Sequence, residues 1–169
     1  MKITEKITKY LGSINEGYTC PPALVDSKIN VANHLKSIKE VGLGPIDPRQ
    51  PNMDFWMDKG KKWGISEGDA RSRLCLNCEH YLSTKEIVDC INNGSAKFFK
   101  ASNLPIKPQL ADVESKPVAY CVTRHITCSP TRTCDEQEMG GPIDDVKAMA
   151  LKLHKTTGGL DVDELEDYL

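Results

Sequence analysis

Six cysteines fall within 60 residues in the middle of this chain, spaced C-x2-C-x11-C-x30-C-x6-C-x5-C from Cys75 to Cys134. A seventh, Cys20, stands apart before Pro21 and reads as a lone thiol. The chain has little else from which to build a core. Hydrophobic residues make up 39% and aromatics 6% of its 169 residues, lean for one domain, so a staple is expected. No apolar run approaches the ~18 residues of a membrane helix, and "MKITEKITKYLGS" holds no signal-peptide core. The expected compartment is a cytoplasm, where structural disulfides are disfavoured. Metal is then the leading explanation for so many thiols.

Thiolates are soft ligands that suit zinc or iron–sulfur clusters. In "RLCLNCEHYL" the two-residue gap lets Cys75 and Cys78 reach one metal from a single turn. Zinc ribbons usually pair two such knuckles, and this chain has one. The remaining spacings are irregular, as when several segments wrap a cluster. A thioredoxin-like redox pair would need a strand–turn–helix context that the sequence lacks. His34, His80, His125 and His154 are further ligand candidates, and only His80 and His125 lie close to cysteines. Arg71, Arg73, Arg124 and Arg132 flank thiols; beside an anionic cluster they would stabilise its reduced form.

Along the chain, Ile3, Ile7, Leu11 and Ile14 recur at helical spacing. A second helix is expected after Cys20, with Pro22 in its first turn and Gly42 and Gly44 ending it. "GPIDPRQPN" must be extended or turning. A short helix follows, with Trp56 and Trp63 on one face as core anchors. "EGDARSRLC" begins helical and runs into the first cysteines. Ser83 and Glu86 have capping-box spacing, with Ile87, Cys90 and Ile91 sharing the face behind them and Gly94 as the stop. Residues 94–117 read as loop, "PVAYCVTRHITC" as a strand, and "PIDDVKAMALKLHKTTGG" as a helix. The expected fold class is mainly α with irregular loops: a small helical domain around a cysteine-ligated metal centre, with little β. Residues 1–50 would form a helical arm and Pro-rich linker, 51–142 the cysteine-rich core, and 143–169 an acidic helical tail.

Two resemblances add to this reading. "CLNCEHY" is similar to the opening motif of high-potential iron–sulfur proteins. The resemblance implies one 4Fe–4S cluster held by Cys75, Cys78, Cys90 and Cys121, with Tyr81 and Tyr120 as the aromatics beside it. Cys121 and Cys134 are separated by 12 residues, close to that family's last gap, so Cys75, Cys78, Cys121 and Cys134 make a second set. Cys128 and Cys134 are otherwise alternative ligands, or partners in a disulfide. More broadly, Gly44-Pro45, Phe55-Trp56, Cys75-x-Asn77-Cys78, Tyr120-Cys121, Arg132-Thr133-Cys134 and Gly140-Gly141-Pro142-Ile143 follow one another in an order that resembles a group of tailed-bacteriophage proteins without an established reaction.

The function expected is therefore that of a phage-type 4Fe–4S protein whose cluster is structural or carries electrons. The alternative is a zinc-stapled adaptor that binds a phage or host protein, in the host cytoplasm or on the virion. No Gly-rich phosphate loop, Gly-x-Ser-x-Gly or His-Glu-x-x-His motif argues for an enzyme. A cysteine nucleophile paired with His125 is the one catalytic arrangement that the spacing allows. The net charge of −2 gives no general case for nucleic acid. It is unevenly placed: Asp135–Leu169 hold 10 acids and 3 bases, net −7, against +5 for the rest.

Overall fold

In a computed structural model the described residues are 19–44, 52–101 and 118–149, with side chains to 95 in the second stretch. The expected helix over residues 3–14, most of the Pro-rich linker and 94–117 loop, and residues 150–169 of the acidic tail, with His154, lie outside them.

The elements are α1 (Pro22–Val25), α2 (Ser27–Val41), α3 (Met53–Trp63), α4 (Glu67–Ala70), a 3-10 turn at Cys75–Asn77, β1 (Tyr81–Leu82), α5 (Lys85–Ala101), β2 (Ala119–Cys121) and β3 (Ile126–Cys128). Residues 145–149 are again helical. Local chemistry sets most boundaries. The Asp26 carboxylate accepts from Lys28 N–H at the start of α2, Asn52 caps α3, and Ser66 caps α4. Gly42 and Gly64 take left-handed conformations that end α2 and α3.

The strands form one antiparallel sheet in the order β1-β2-β3. Tyr81 faces Cys121 and Leu82 faces Tyr120; Ala119 faces Cys128, Tyr120 faces Thr127, and Cys121 faces Ile126. Directly opposed residues share a face. One face therefore presents Leu82, Tyr120 and Thr127, and the other Tyr81, Ala119, Cys121, Ile126 and Cys128. α2 covers the β3 edge: Asn30 Nδ2 donates to Thr127 Oγ1, Thr127 N–H donates to Asn30 Oδ1, and Asn33 Nδ2 donates to the His125 carbonyl.

The sheet overturns the expectation of a mainly helical domain with little β. The described residues are mixed, with helices arranged around a three-stranded antiparallel sheet. "PVAYCVTRHITC" is two strands rather than one, because the chain reverses between Cys121 and Ile126 and His125 takes a positive φ of 54°. Gly94 does not stop α5, which continues to Ala101. A Cβ at Gly94 would lie 1.8 Å from the Leu24 carbonyl oxygen, so the missing side chain lets α1 press on α5.

On the Leu82 face the core is apolar: Leu24, Leu82, Ile87, Cys90, Ile91, Tyr120, Val122, Ile143 and Ala148 pack together. Cys20 and Cys90 are joined by a disulfide there, with Cα atoms 5.7 Å apart. Trp56 is 1% exposed, as expected of a core anchor.

Candidate metal centre

The Cys75-x-x-Cys78 turn is built by its own residues. Asn77 Oδ1 accepts from Leu74 N–H, its Nδ2 donates to the Ser72 carbonyl, and its own carbonyl accepts from Gly140 and Gly141 N–H. Cys78 pairs with Met139 in an isolated bridge. A Cβ at Gly141 would sit 1.8 Å from the Cys78 carbonyl oxygen, so only glycine lets this segment approach.

The segment from Ser129 to Asp135 closes on the turn from the other side. Cys75 N–H donates to the Arg132 carbonyl and Leu76 N–H to the Pro130 carbonyl. Further contacts anchor this segment to the helices. Gly44 N–H donates to the Thr133 carbonyl, Arg132 Nε to the Gly44 carbonyl, and Asp135 N–H to the Val41 carbonyl. Lys59 is buried and bonds Asp135 and the Gly42 carbonyl. It thus neutralises the end of α2 and fixes the residue after Cys134.

Five free cysteines meet between these layers: Cys75, Cys78, Cys121, Cys128 and Cys134. Cys75, Cys78, Tyr81, Ala119 and Cys128 pack as one cluster; Val41, Leu43, Ile126 and Cys134 pack as a second, and Cys121 touches both. Period-2 alternation puts Cys121 and Cys128 on one face, and the hairpin brings them beside the turn.

Burial pushes Cys78 up to about 11, and Cys121 and Cys134 up to about 12. Cys75 is held well above the usual thiol range, first by its contact with Cys128 and then by burial. Nearby sulfur charges add to these shifts, linking Cys75 with Cys78, Cys121 and Cys134, and Cys134 with Cys78 and Cys121. Against burial act backbone N–H donors. Cys78 receives them from His80 and Glu138, Cys121 from Thr123 and Arg124, and Cys134 from Glu136. At each of the three sulfurs one donor is two residues ahead. Turns that present amides in this way favour an anion at the sulfur.

Of the ligands that the resemblance implied, Cys75, Cys78 and Cys121 come together and Cys90 does not. Cys90 is on the opposite face of the sheet, bonded to Cys20, so neither can serve as a free thiolate there. Its place between Ile87 and Ile91 on the apolar face of α5 already marked it as core-facing. The Cys20–Cys90 bond was missed because 70 residues separate the pair. Cys128 and Cys134, read as alternative ligands or as a disulfide pair, are both free and both at the centre.

Tyr81 packs in the centre, where burial raises its phenol above the usual range. Tyr120 lies on the opposite face and hydrogen-bonds His125 Nδ1 at 2.7 Å. His80 comes within 4.8 Å of Glu79 and Glu138 through their ligating atoms, and is buried beside Cys78. His34 bonds the Asn30 carbonyl within α2. Arg71 and Arg73 stack over Trp56 and Trp63. Arg124 is tied to Glu136 and Glu40. Arg132 is 8% exposed, and the charges that act on it are those of Cys128 and Cys75.

The spacing of the sulfurs bears on what they can hold. Four thiolates on one tetrahedral zinc sit about 3.8 Å apart, from a Zn–S bond of about 2.3 Å. Among the described residues, Glu79, His80 and Glu138 form the only trio of ligand groups within 4.8 Å of one another, so no three of the five sulfurs are that close. No protein-family model, curated protein or solved structure matches the chain.

Proposed function

We propose that the chain binds a 4Fe–4S cluster through Cys75, Cys78, Cys121 and Cys134, and that the cluster joins the turn, the hairpin and the 129–135 segment into one unit. The observation that carries the reading is the convergence of amide donors on buried sulfurs. Burial alone opposes thiolates at Cys78, Cys121 and Cys134, yet each sulfur receives an amide two residues ahead. Those donors stabilise only the deprotonated form, which a metal restores. The buried guanidinium of Arg132 supports the same conclusion, because a buried cation needs an anion beside it.

The resemblance of "CLNCEHY" to the high-potential iron–sulfur motif favours a cluster over a single ion, each thiolate of a cluster binding its own iron. The hydroxyls of Thr123, two residues from Cys121, and Thr133, next to Cys134, are buried without a hydrogen-bond partner and offer further donors to an anionic group. The residue order shared with the tailed-phage group supports a viral origin. Among the described residues no helix is long and apolar enough to cross a membrane.

The test is an absorption spectrum of protein purified without oxygen, with iron, sulfide and zinc counted on the same sample. A broad band near ~400 nm with about four irons and four sulfides per chain is expected of a cluster on four thiolates. About one zinc and no colour would replace this reading with the zinc-stapled adaptor. Neither metal would remove the reading altogether.

A further inference from the structure

Four thiolates complete the proposed centre, and a fifth thiol lies against one of them. Cys128 Sγ is 2.9 Å from Cys75 Sγ. That is closer than two thiolates on one zinc, at about 3.8 Å, and approaches the disulfide bond length of about 2.05 Å. The two residues are 53 apart in sequence, so the contact is made by the fold. It is also fixed on both sides. Cys75 and Leu76 N–H are bonded to the Arg132 and Pro130 carbonyls, and Cys128 ends β3, paired with Ala119. Arg132 is buried, and its guanidinium interacts with the charges of both sulfurs. No other sulfur contact of this kind is found among the free cysteines of the described residues.

We propose that Cys75 and Cys128 form a reversible dithiol–disulfide couple. Resting on the cluster reading above, the oxidised form takes Cys75 out of the metal centre, so that loading requires prior reduction. The oxidant is a small-molecule disulfide. The Cys75 thiolate, the more exposed of the two, attacks one sulfur of that disulfide and releases the first small thiol. The Cys128 thiolate then displaces the second small thiol from the mixed disulfide. One small disulfide is reduced to two thiols, and two protein thiols lose two protons and two electrons to form one S–S bond.

The experiment uses the full chain stripped of metal by chelator and incubated with oxidised glutathione. Free thiols are alkylated, the protein is digested without reduction, and linked peptides are identified by mass spectrometry. A Cys75–Cys128 peptide is expected beside the Cys20–Cys90 one, removable by dithiothreitol and absent from Cys128→Ser. Recovery of Cys75 and Cys128 both alkylated, or linked to Cys121 or Cys134 instead, overturns the couple. Iron and sulfide are then added to oxidised and reduced samples. Oxidised protein is expected to lose iron uptake and regain it on reduction, while Cys128→Ser loads before and after glutathione. Equal loading with the Cys75–Cys128 bond in place overturns the gate. If reduced protein binds neither iron nor zinc, the cluster reading and the gate fail, while the mapped disulfide stands.

Discussion

On one face of the sheet Leu82 and Tyr120 pack into aliphatic side chains from α1, α5 and the 143–148 segment, and a disulfide ties residues 20 and 90. On the other face Tyr81, Cys121 and Cys128 look onto Cys75, Cys78 and Cys134. The first face needs nothing beyond its own side chains, because burying aliphatic groups is favourable without a partner. The second gathers five thiols, four buried and Cys121 partly so, with amides directed at three of the sulfurs and an arginine beside two others. The same small sheet therefore supports a closed core on one side and a ligand-dependent one on the other.

The largest expected effect separates the two faces outright. Cys78→Ser should abolish metal binding and with it a stabilisation of roughly 10 kcal/mol, the scale of structural metal sites. Hydrogen exchange should show β2, β3 and the 129–135 segment losing protection while the middle of α5 keeps it. Unchanged protection around Cys121 would mean that the cysteine face holds without metal. The converse variant, Cys20→Ser, should cost about 4 kcal/mol by the loop-entropy estimate for a separation of 70 residues. Its denaturation midpoint should fall while the metal content stays the same. Loss of metal in this variant would show that the faces are coupled.

How much of this contrast the sequence revealed differs between the faces. Ile87, Cys90 and Ile91 fall at helical spacing, so the α5 face was legible as core, and the knuckle at Cys75 and Cys78 was legible from its two-residue gap. The central sheet was not. Its strands are two or three residues long, too short for alternation to stand out, and their pairing joins Tyr81 to Cys121 across 40 residues of chain. The ligand set that the resemblance implied therefore put Cys90 in the centre and left Cys134 to the second set.

Smaller perturbations sharpen the comparison. Ile87→Ala, at a site with no exposure, should cost about 2–5 kcal/mol and leave metal content untouched. A titration of the metal-free protein should act on the other face alone. Cys78, Cys121 and Cys134 sit at about 11, 12 and 12 against an unfolded value of 9.0. The fold therefore favours their protonated form. That contribution is fully present below pH 9.0 and is lost as pH rises through 11 to 12. Thermal unfolding of metal-free protein should move to lower temperature above pH 9.0, and metal-loaded protein should resist the shift; parallel curves for the two forms would count against the centre. The smallest effect is expected from Asn77→Ala, about 1–2 kcal/mol for the turn bonds it removes, seen as faster metal loss to a chelator. An unchanged release rate would show that backbone bonds alone hold the turn.

The sequence by itself determined the local parts: helix caps at Asp26, Asn52 and Ser66, the apolar face of α5, and a cysteine turn closed by Asn77. These depend on residues within a few positions of one another, where spacing dictates geometry. Only the tertiary structure decided which thiols meet. The pairing of Cys20 with Cys90, the approach of Cys128 to Cys75, and the arrival of Cys121 and Cys134 at one centre all depend on strand register and on backbone contacts from distant segments. A cysteine has the same side chain whether it ends in a disulfide, a core or a metal centre, and what distinguishes these fates is the neighbours that the fold supplies.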